Sequence, residues 1–270
     1  MAIARHTAPA KLTRTLRVTG VRPDGLHLLE SEMVTVDLCD VLEISPGEGL
    51  ELVWETRPSD VSLGPDNLVT RALAAVGRRA KILLRKRVPA GAGLGGGSAD
   101  AAAVLRWAGL GSSPGDLRLA AGLGADVAFC LRGGRALVSG IGDVVEQVDF
   151  RELRFALVTP PAAVSSAAVY RRWDELGGPQ GPGDNDLEQA ALSVEPALAA
   201  WREALATVTG GRPSLAGSGS SWFVQLDPHQ QEPAATTLSA GGATAALLVL
   251  RSVPQSPLAT SPPGAASVSP

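Results

Sequence analysis

The chain has 270 residues, 45% of them hydrophobic, and a formal net charge of −3. That balance gives no electrostatic footprint for nucleic acid or an anionic membrane, so an anionic ligand has to be held by local donors. Two cysteines (Cys39, Cys130) and three scattered histidines (His6, His27, His229) make no disulfide framework or zinc motif, and neither an apolar leader core nor a run of about 18 apolar residues is seen. A cytoplasmic, reduced protein is expected, large enough for two packed domains.

The first element is a strand, Lys11 to Thr19. Leu12, Leu16 and Val18 share one face of its alternation, and Thr13, Thr15 and Arg17 the other. Lys11 stands at its mouth, where the plain reading is an ordinary solvated lysine. A turn with Pro23, Asp24 and Gly25 follows and carries His27. Strands are predicted over Met33 to Leu42 and Leu50 to Thr56. Asp66 is placed as the cap of a helix whose Val69, Leu73 and Val76 share a face.

The next stretch dominates the chain. A strand, Lys81 to Val88, runs into Pro89-Ala90-Gly91-Ala92-Gly93-Leu94-Gly95-Gly96-Gly97-Ser98 and then into an alanine-rich run to about Trp107. Glycines let a ligand approach the backbone, and the alanines favour helix. A glycine loop opening a helix offers free N–H groups and the positive end of the helix dipole to an anion. Strand, loop and helix together spell a phosphate cradle. It is not a Walker loop, because no lysine follows the glycines. A dinucleotide site would want an acidic residue on the next strand tip, and a loop, Gly111 to Arg118, stands there instead.

A short helix is expected from Ser113-Pro114. Asp126 then sits in an apolar run, Gly122 to Leu131, where a carboxylate is costly unless it is paired, used, or capping a helix. A strand pair, Arg135 to Ser139 and Val144 to Val148, flanks Gly140-Ile141-Gly142. The pattern restarts after Phe150. A strand (Phe155 to Thr159), a helix (Ser165 to Leu176), a Gly/Pro loop and two helices (Asp186 to Leu192, Glu195 to Thr207) follow. The small-residue loop Ala216 to Ser221 leads into a strand ending at Leu226, and Thr244 to Val253 is a last strand. Domains are therefore expected over 1–150 and 151–253. Residues 254–270 are rich in Pro, Ser and Ala without periodicity and read as a disordered tail.

Taken together, Pro9-Ala10-Lys11, Asp24 to Leu29, Pro89 to Ala102, Leu123 to Leu131, Val164 to Tyr170 and Ala216 to Ser220 resemble the GHMP small-molecule kinases. Arg22 to Ser31, Val36 to Asp40, Asp66 to Ala72 and Leu131 to Asp143 resemble, within that superfamily, the branch that phosphorylates the 2-hydroxyl of a cytidylyl methylerythritol in non-mevalonate isoprenoid synthesis. The resemblance spans about Ala8 to Val253. It implies an α+β fold of two domains, an N-terminal ATP-binding α/β sandwich and a ferredoxin-like C-terminal domain, with the site in the cleft between. Pro89, Ala90, Gly91, Ala92, Gly93, Leu94, Gly95, Gly96, Gly97, Ser98 and Ala99 would wrap the ATP phosphates, and Asn67 would lie on the adenosine side. Asp126 would be the general base, and Lys11 would hold it and the acceptor hydroxyl together. Thr13 and His27 would bind substrate, His27 at the cytosine edge. Gly217, Ser218 and Gly219 would close over substrate and phosphate. Mg²⁺ would come with the nucleotide, without a separate metal cage in the sequence and with Ser98 as the nearest protein contact. No nucleic-acid or membrane partner is expected, and the state is monomer or homodimer.

Three positions depart from that pattern. Thr13 replaces an asparagine, Leu26 replaces a tyrosine, and Gly183-Asp184-Asn185-Asp186 lacks an expected aromatic. The stacking partner for the base would then be Tyr170 or a nearby Trp. The departures leave two rivals: a GHMP kinase for homoserine or a mevalonate derivative, and a nucleotide-binding paralogue without turnover.

Overall fold

The computed structural model describes residues 3–56, 61–178 and 183–254. The tail expected from Pro254 lies, beyond that residue, outside the described residues, as does part of the Gly/Pro loop after Gly178.

Two sheets organise the molecule. The first holds β1 (Ala4–Val21), β2 (His27–Ser45), β3 (Gly49–Trp54), β4 (Lys81–Lys86), β5 (Arg135–Gly140) and β6 (Val144–Gln147). Its order is β3-β4-β2-β5-β6, with β1 along β2. β1 and β2 are antiparallel from Ala4 opposite Ile44 to Val21 opposite His27, with register shifts between Pro9 and Lys11, Thr13 and Thr15, and Val18 and Gly20. β3 and β4 are parallel. α1 (Leu68–Ala75), α2 (Gly96–Trp107), α3 (Pro114–Leu123) and α4 (Val127–Arg132) pack with this sheet around Ile82, Leu84, Val104, Leu105 and Phe129. α2 is buried at every position from Ala99 to Arg106. Its alanines carry one methyl each, so the helix can seat directly on β1 and bring its first turn to that strand.

The second sheet has the order β10-β11-β7-β9-β8, built from β7 (Arg154–Val158), β8 (Ser214–Leu215), β9 (Trp222–Leu226), β10 (Thr237–Ala240) and β11 (Ala243–Arg251). α5 (Ser166–Glu175), α6 (Glu188–Val194) and α7 (Leu198–Thr209) pack with it around Trp173, Trp201, Leu205 and Trp222. A third core lies between the sheets, where Leu12, Val34, Val36 and Leu94 meet Phe155, Leu157, Phe223 and Leu250. Helices on one face of each mainly antiparallel sheet make this an α+β fold.

Several expectations need correction. The first strand starts at Ala4, so Lys11 is not at its mouth but in mid-strand, only 5% exposed. Six residues before it, Ala4 to Pro9, pair with Ile44 back to Cys39, which the alternating window alone did not reveal. Asn67, not Asp66, caps α1, its Oδ1 accepting from Val69 N at 2.8 Å. Asp66 instead accepts from the Ser62 hydroxyl at 2.6 Å. Cys39 is half-buried and Cys130 enclosed, where burial pushes its thiol up to about 12. β8 and β10 are too short to carry a readable period, and pairing with β9 and β11 defines them.

Candidate active site

The glycine stretch makes a turn of left-handed residues and then α2. Gly95 is the residue before the helix, at φ 67°, and gives it no side-chain cap. Its carbonyl accepts from Ala99 N at 2.8 Å, so the N–H groups of the first turn are left to a ligand. A Cβ on Gly95 would stand 2.8 Å from Lys11 Cγ, and one on Gly93 2.0 Å from the Ala216 carbonyl oxygen. Both glycines are therefore required by close approach, one to β1 and the other to the loop 216–221. Lys11 N donates to Leu94 O at 3.0 Å and Ser221 N to Ala92 O at 3.2 Å, tying the three segments together.

Lys11 Nζ is the meeting point. It lies 3.3 Å from Asp126 Oδ2 and donates to Thr13 Oγ1 at 2.9 Å. The bulge between Pro9 and Lys11 precedes it, and Thr13 follows on the same face. Asp126 occupies the position before α4 but makes no capping bond, which removes the plain reading of it as a helix cap. Its side chain is 28% exposed, so it is half open rather than buried in the apolar run. A carboxylate, an ammonium and a hydroxyl thus face the mouth of the glycine loop.

The loop 216–221 closes the other side. A Cβ on Gly217 would come within 3.4 Å of Lys11 Nζ, and one on Gly219 3.3 Å from Leu215. Ser218 shares a hydrogen bond with Ser166 at the start of α5, 2.7 Å between the hydroxyls. Asn185 holds this loop in place. Its buried amide donates to Leu215 O at 2.8 Å and Gly217 O at 2.7 Å, while its Oδ1 accepts from Leu187 N at 2.9 Å. The same turn braces β1, Leu16 N donating to Asp184 O at 2.7 Å and Val18 N to Asp186 Oδ2 at 3.0 Å. Sequence reasoning saw in Gly183 to Asp186 only a missing aromatic; an asparagine flanked by aspartates after a Gly/Pro loop was the signal available.

His27 lies at the tip of the β1–β2 hairpin and is packed rather than solvated. Its ring is 4.7 Å from Tyr170 and 5.7 Å edge-on from Trp173, and Nε2 is 2.9 Å from Asp174 Oδ1. Tyr170, the stacking candidate, links this corner to the reacting one: burial first and the Asp126 charge second push its phenol above the ordinary range. Leu26 is exposed and offers no ring. Asn67 spends its side chain on the α1 cap and on Ser62 O, at 2.7 Å. Leu68, next to it, faces Gly97 across 3.7 Å measured to an added Cβ, so this corner adjoins the cradle.

Beneath the cradle lies a cluster the sequence reading missed. Lys86 Nζ contacts Asp40 Oδ2, and lies 2.6 Å from Asp100 Oδ2, all three side chains being buried. Asp40 also accepts from Val88 N at 2.8 Å, and a Cβ on Gly96 would stand 3.3 Å from Lys86 Nζ. Burial, opposed by Lys86 and reinforced by the Asp40 charge, raises Asp100 to about 7. The two carboxylates keep Lys86 an ammonium in spite of its burial. Charges set in apolar strands and an alanine helix were the readable sign. Among the described residues no group of three or more side chains gathers as a metal cage.

The sheets, the glycine loop before α2 and the paired Lys11 and Asp126 define a GHMP kinase. Residues 67–134 match the GHMP kinases N terminal domain family. Relatives over most of the chain are more particular. The chain is 38% identical over 257 residues to the 4-diphosphocytidyl-2-C-methyl-D-erythritol kinase of Paracoccus denitrificans, covering 88% of this chain and 92% of the relative. It is also 38% identical to that of Dinoroseobacter shibae, covering 86% and 89%. A crystal structure of 4-(cytidine 5'-diphospho)-2C-methyl-D-erythritol kinase superposes with a TM-score of 0.65 at 32% identity, covering 83% of this chain and 90% of that one. The L. major mevalonate kinase in complex with R-mevalonate, at 14% identity and TM-score 0.60 over 83% and 87%, shares the fold. The chain belongs to the 4-diphosphocytidyl-2-C-methyl-D-erythritol kinase family. No helix among the described residues is long and apolar enough to cross a membrane.

Proposed function

We propose that the chain transfers the γ-phosphoryl group of ATP to the 2-hydroxyl of 4-diphosphocytidyl-2-C-methyl-D-erythritol, in the cytoplasm, as a step toward isoprenoid precursors. The contact between Lys11 and Asp126 at 3.3 Å, facing the glycine loop, carries this reading. Phosphoryl transfer asks mainly for alignment and charge neutralisation. Asp126 takes the proton of the acceptor hydroxyl as its oxygen attacks the γ-phosphorus, and ADP leaves. Lys11 orients that hydroxyl and Asp126 and offsets the negative charge of the transferring group. Thr13, held by Lys11, positions the acceptor. Residues 89–99 hold the phosphates through backbone N–H groups and the α2 terminus. Gly217, Ser218 and Gly219 cover the transferring group. Asn67 borders the nucleoside.

Mg²⁺ brought by the nucleotide would neutralise phosphate charge. The residues present fit a nucleotide-borne ion rather than a protein cage: Ser98, in the first turn of α2, is the one hydroxyl that would contact it. Tyr170 supplies one stacking face for the cytosine and His27 its edge. All these residues belong to one chain, which suits activity as a monomer or a homodimer. We read residues 1–150 and 151–253 as the two domains; limited proteolysis should nick near Phe150, and a first cut inside either sheet would refute that division.

A coupled ADP-release assay with the cytidylyl substrate tests the mechanism. Asp126→Asn should lower kcat by ~10²–10⁴-fold with an unchanged melting temperature; full activity would remove Asp126 as the base. The exposed Leu26, in place of a ring, favours a second reading, a homoserine or mevalonate-type acceptor. Turnover of either alcohol at higher kcat/KM than the cytidylyl substrate would establish it.

A further inference from the structure

His27 is held by one helix of the opposite unit. Tyr170, Trp173 and Asp174 fall at i, i+3 and i+4 of α5, so they share a face. Two of them pack the ring, and the third takes Nε2 at 2.9 Å. The imidazole is only 12% exposed and so has little freedom to flip, while Asp174 is 48% exposed. An ionised carboxylate accepts hydrogen bonds and cannot donate them. Nε2 must then carry the hydrogen. In a neutral imidazole this leaves Nδ1 as a lone-pair acceptor.

From this geometry we infer that Asp174 is a positioning residue that fixes His27 in the Nε2–H tautomer and so makes the site select an amino-pyrimidine over a keto-pyrimidine. The inference rests on the reading of this corner as the cytidylyl seat. Cytosine presents an exocyclic amino group, a donor, on the edge where uracil presents a carbonyl, an acceptor. An acceptor Nδ1 takes a hydrogen bond from the first. Against the second it sets lone pair against lone pair and leaves both groups unpaired. Replacing Asp174 by asparagine supplies an amide that donates as readily as it accepts, so the tautomer is no longer dictated. Asp174 is half exposed, so replacing its carboxylate leaves no buried charge unpaired, and the variant should fold as the wild type does.

The test uses the full chain at pH 8, where an ordinary imidazole is neutral. Long-range ¹H–¹⁵N spectra, with the His27 signals assigned by loss in His27→Gln, should show the Nε2–H form in the wild type and a mixture in Asp174→Asn. Calorimetry with cytidine 5′-diphosphate and uridine 5′-diphosphate as probes should show a preference for the cytidine form on the order of tenfold. That preference should shrink to within about threefold in Asp174→Asn and be largely restored in Asp174→Glu, with the affinity for an ATP analogue unchanged. An Nδ1–H form in the wild type, or an Asp174→Asn protein that keeps the full preference, would overturn the inference. The two readings fail separately. A wild type that prefers the cytidine diphosphate through Asp174, yet releases no ADP with the cytidylyl substrate, sinks the catalytic reading and leaves this one standing. Equal binding of the two diphosphates sinks this one even where turnover is seen.

Discussion

The glycine loop before α2 and the corner around His27 are built on opposite plans. The cradle is made of backbone. Glycines at 93 and 95 let the loop touch β1 and the loop 216–221, and the uncapped first turn of α2 supplies the donors. The His27 corner is made of side chains, with a hairpin tip from one sheet held by three residues of α5 beside the other. Backbone donors recognise charge and shape and, on the proposed reading, suit the triphosphate of the common phosphoryl donor. Side chains recognise an edge pattern and suit the part of the acceptor that differs between kinases. The difference teaches that, on the proposed reading, the anion seat is set largely by local backbone, while the corner that would read the acceptor is assembled between the two sheets.

Three changes would break or sharpen that contrast. Gly93→Ala should have the largest effect, because its Cβ would stand 2.0 Å from the Ala216 carbonyl at a residue with φ 76°. Strain of about 1–3 kcal/mol and displacement of two loops at once should lower Tm by about 5 °C. They should also reduce kcat/KM for ATP by roughly 100-fold. A wild-type KM for ATP would mean that the loops do not need this contact. Tyr170→Ala should act only at the His27 corner. Loss of a stacking face worth about 2 kcal/mol should raise KM for the cytidylyl substrate by roughly 30-fold and leave KM for ATP alone. Equal changes in both constants would show that the two regions are not separable.

The smallest effect belongs to the buried cluster under the cradle. Asp100 is raised to about 7, by burial first, so the folded state holds its proton more tightly than the unfolded chain does. Its contribution to stability is therefore present in full below about pH 4 and is lost as pH rises toward 7, with no further loss above. Asp100→Asn has nothing to deprotonate. Urea melts of both proteins between pH 4 and 8 should show the variant gaining on the wild type up to about pH 7, then a constant gap. A gap that does not change with pH would mean Asp100 keeps an ordinary carboxylate.

Much of the fold was readable because its signals are local. The alternation of Leu12, Leu16 and Val18, the alanine run after Ser98, and the serine caps of α3 and α5 each specify an element within a few residues. Lys11 stood out at an expected strand mouth and proved to be buried in mid-strand, while Asp126 stood out as a carboxylate in an apolar run and proved to be paired and half open. Asn185 and Asp174 did not announce themselves, since a polar residue on a turn or helix reads as solvated until its partner is known; the charges of Asp40, Lys86 and Asp100, set in apolar strands and an alanine helix, hint at burial but not at one another.

By itself, the sequence determined the anion seat. A left-handed glycine before an uncapped alanine helix follows from conformational preference and the helix dipole, which need no distant residue. The tertiary structure alone decided what the seat serves. Residues 11 and 126 come within ion-pair reach because α4 packs with the first sheet, and residues 27 and 174 within hydrogen-bonding reach because the two sheets pack through the third core. Such contacts depend on registers and crossings summed over the whole chain, and no window of sequence contains them.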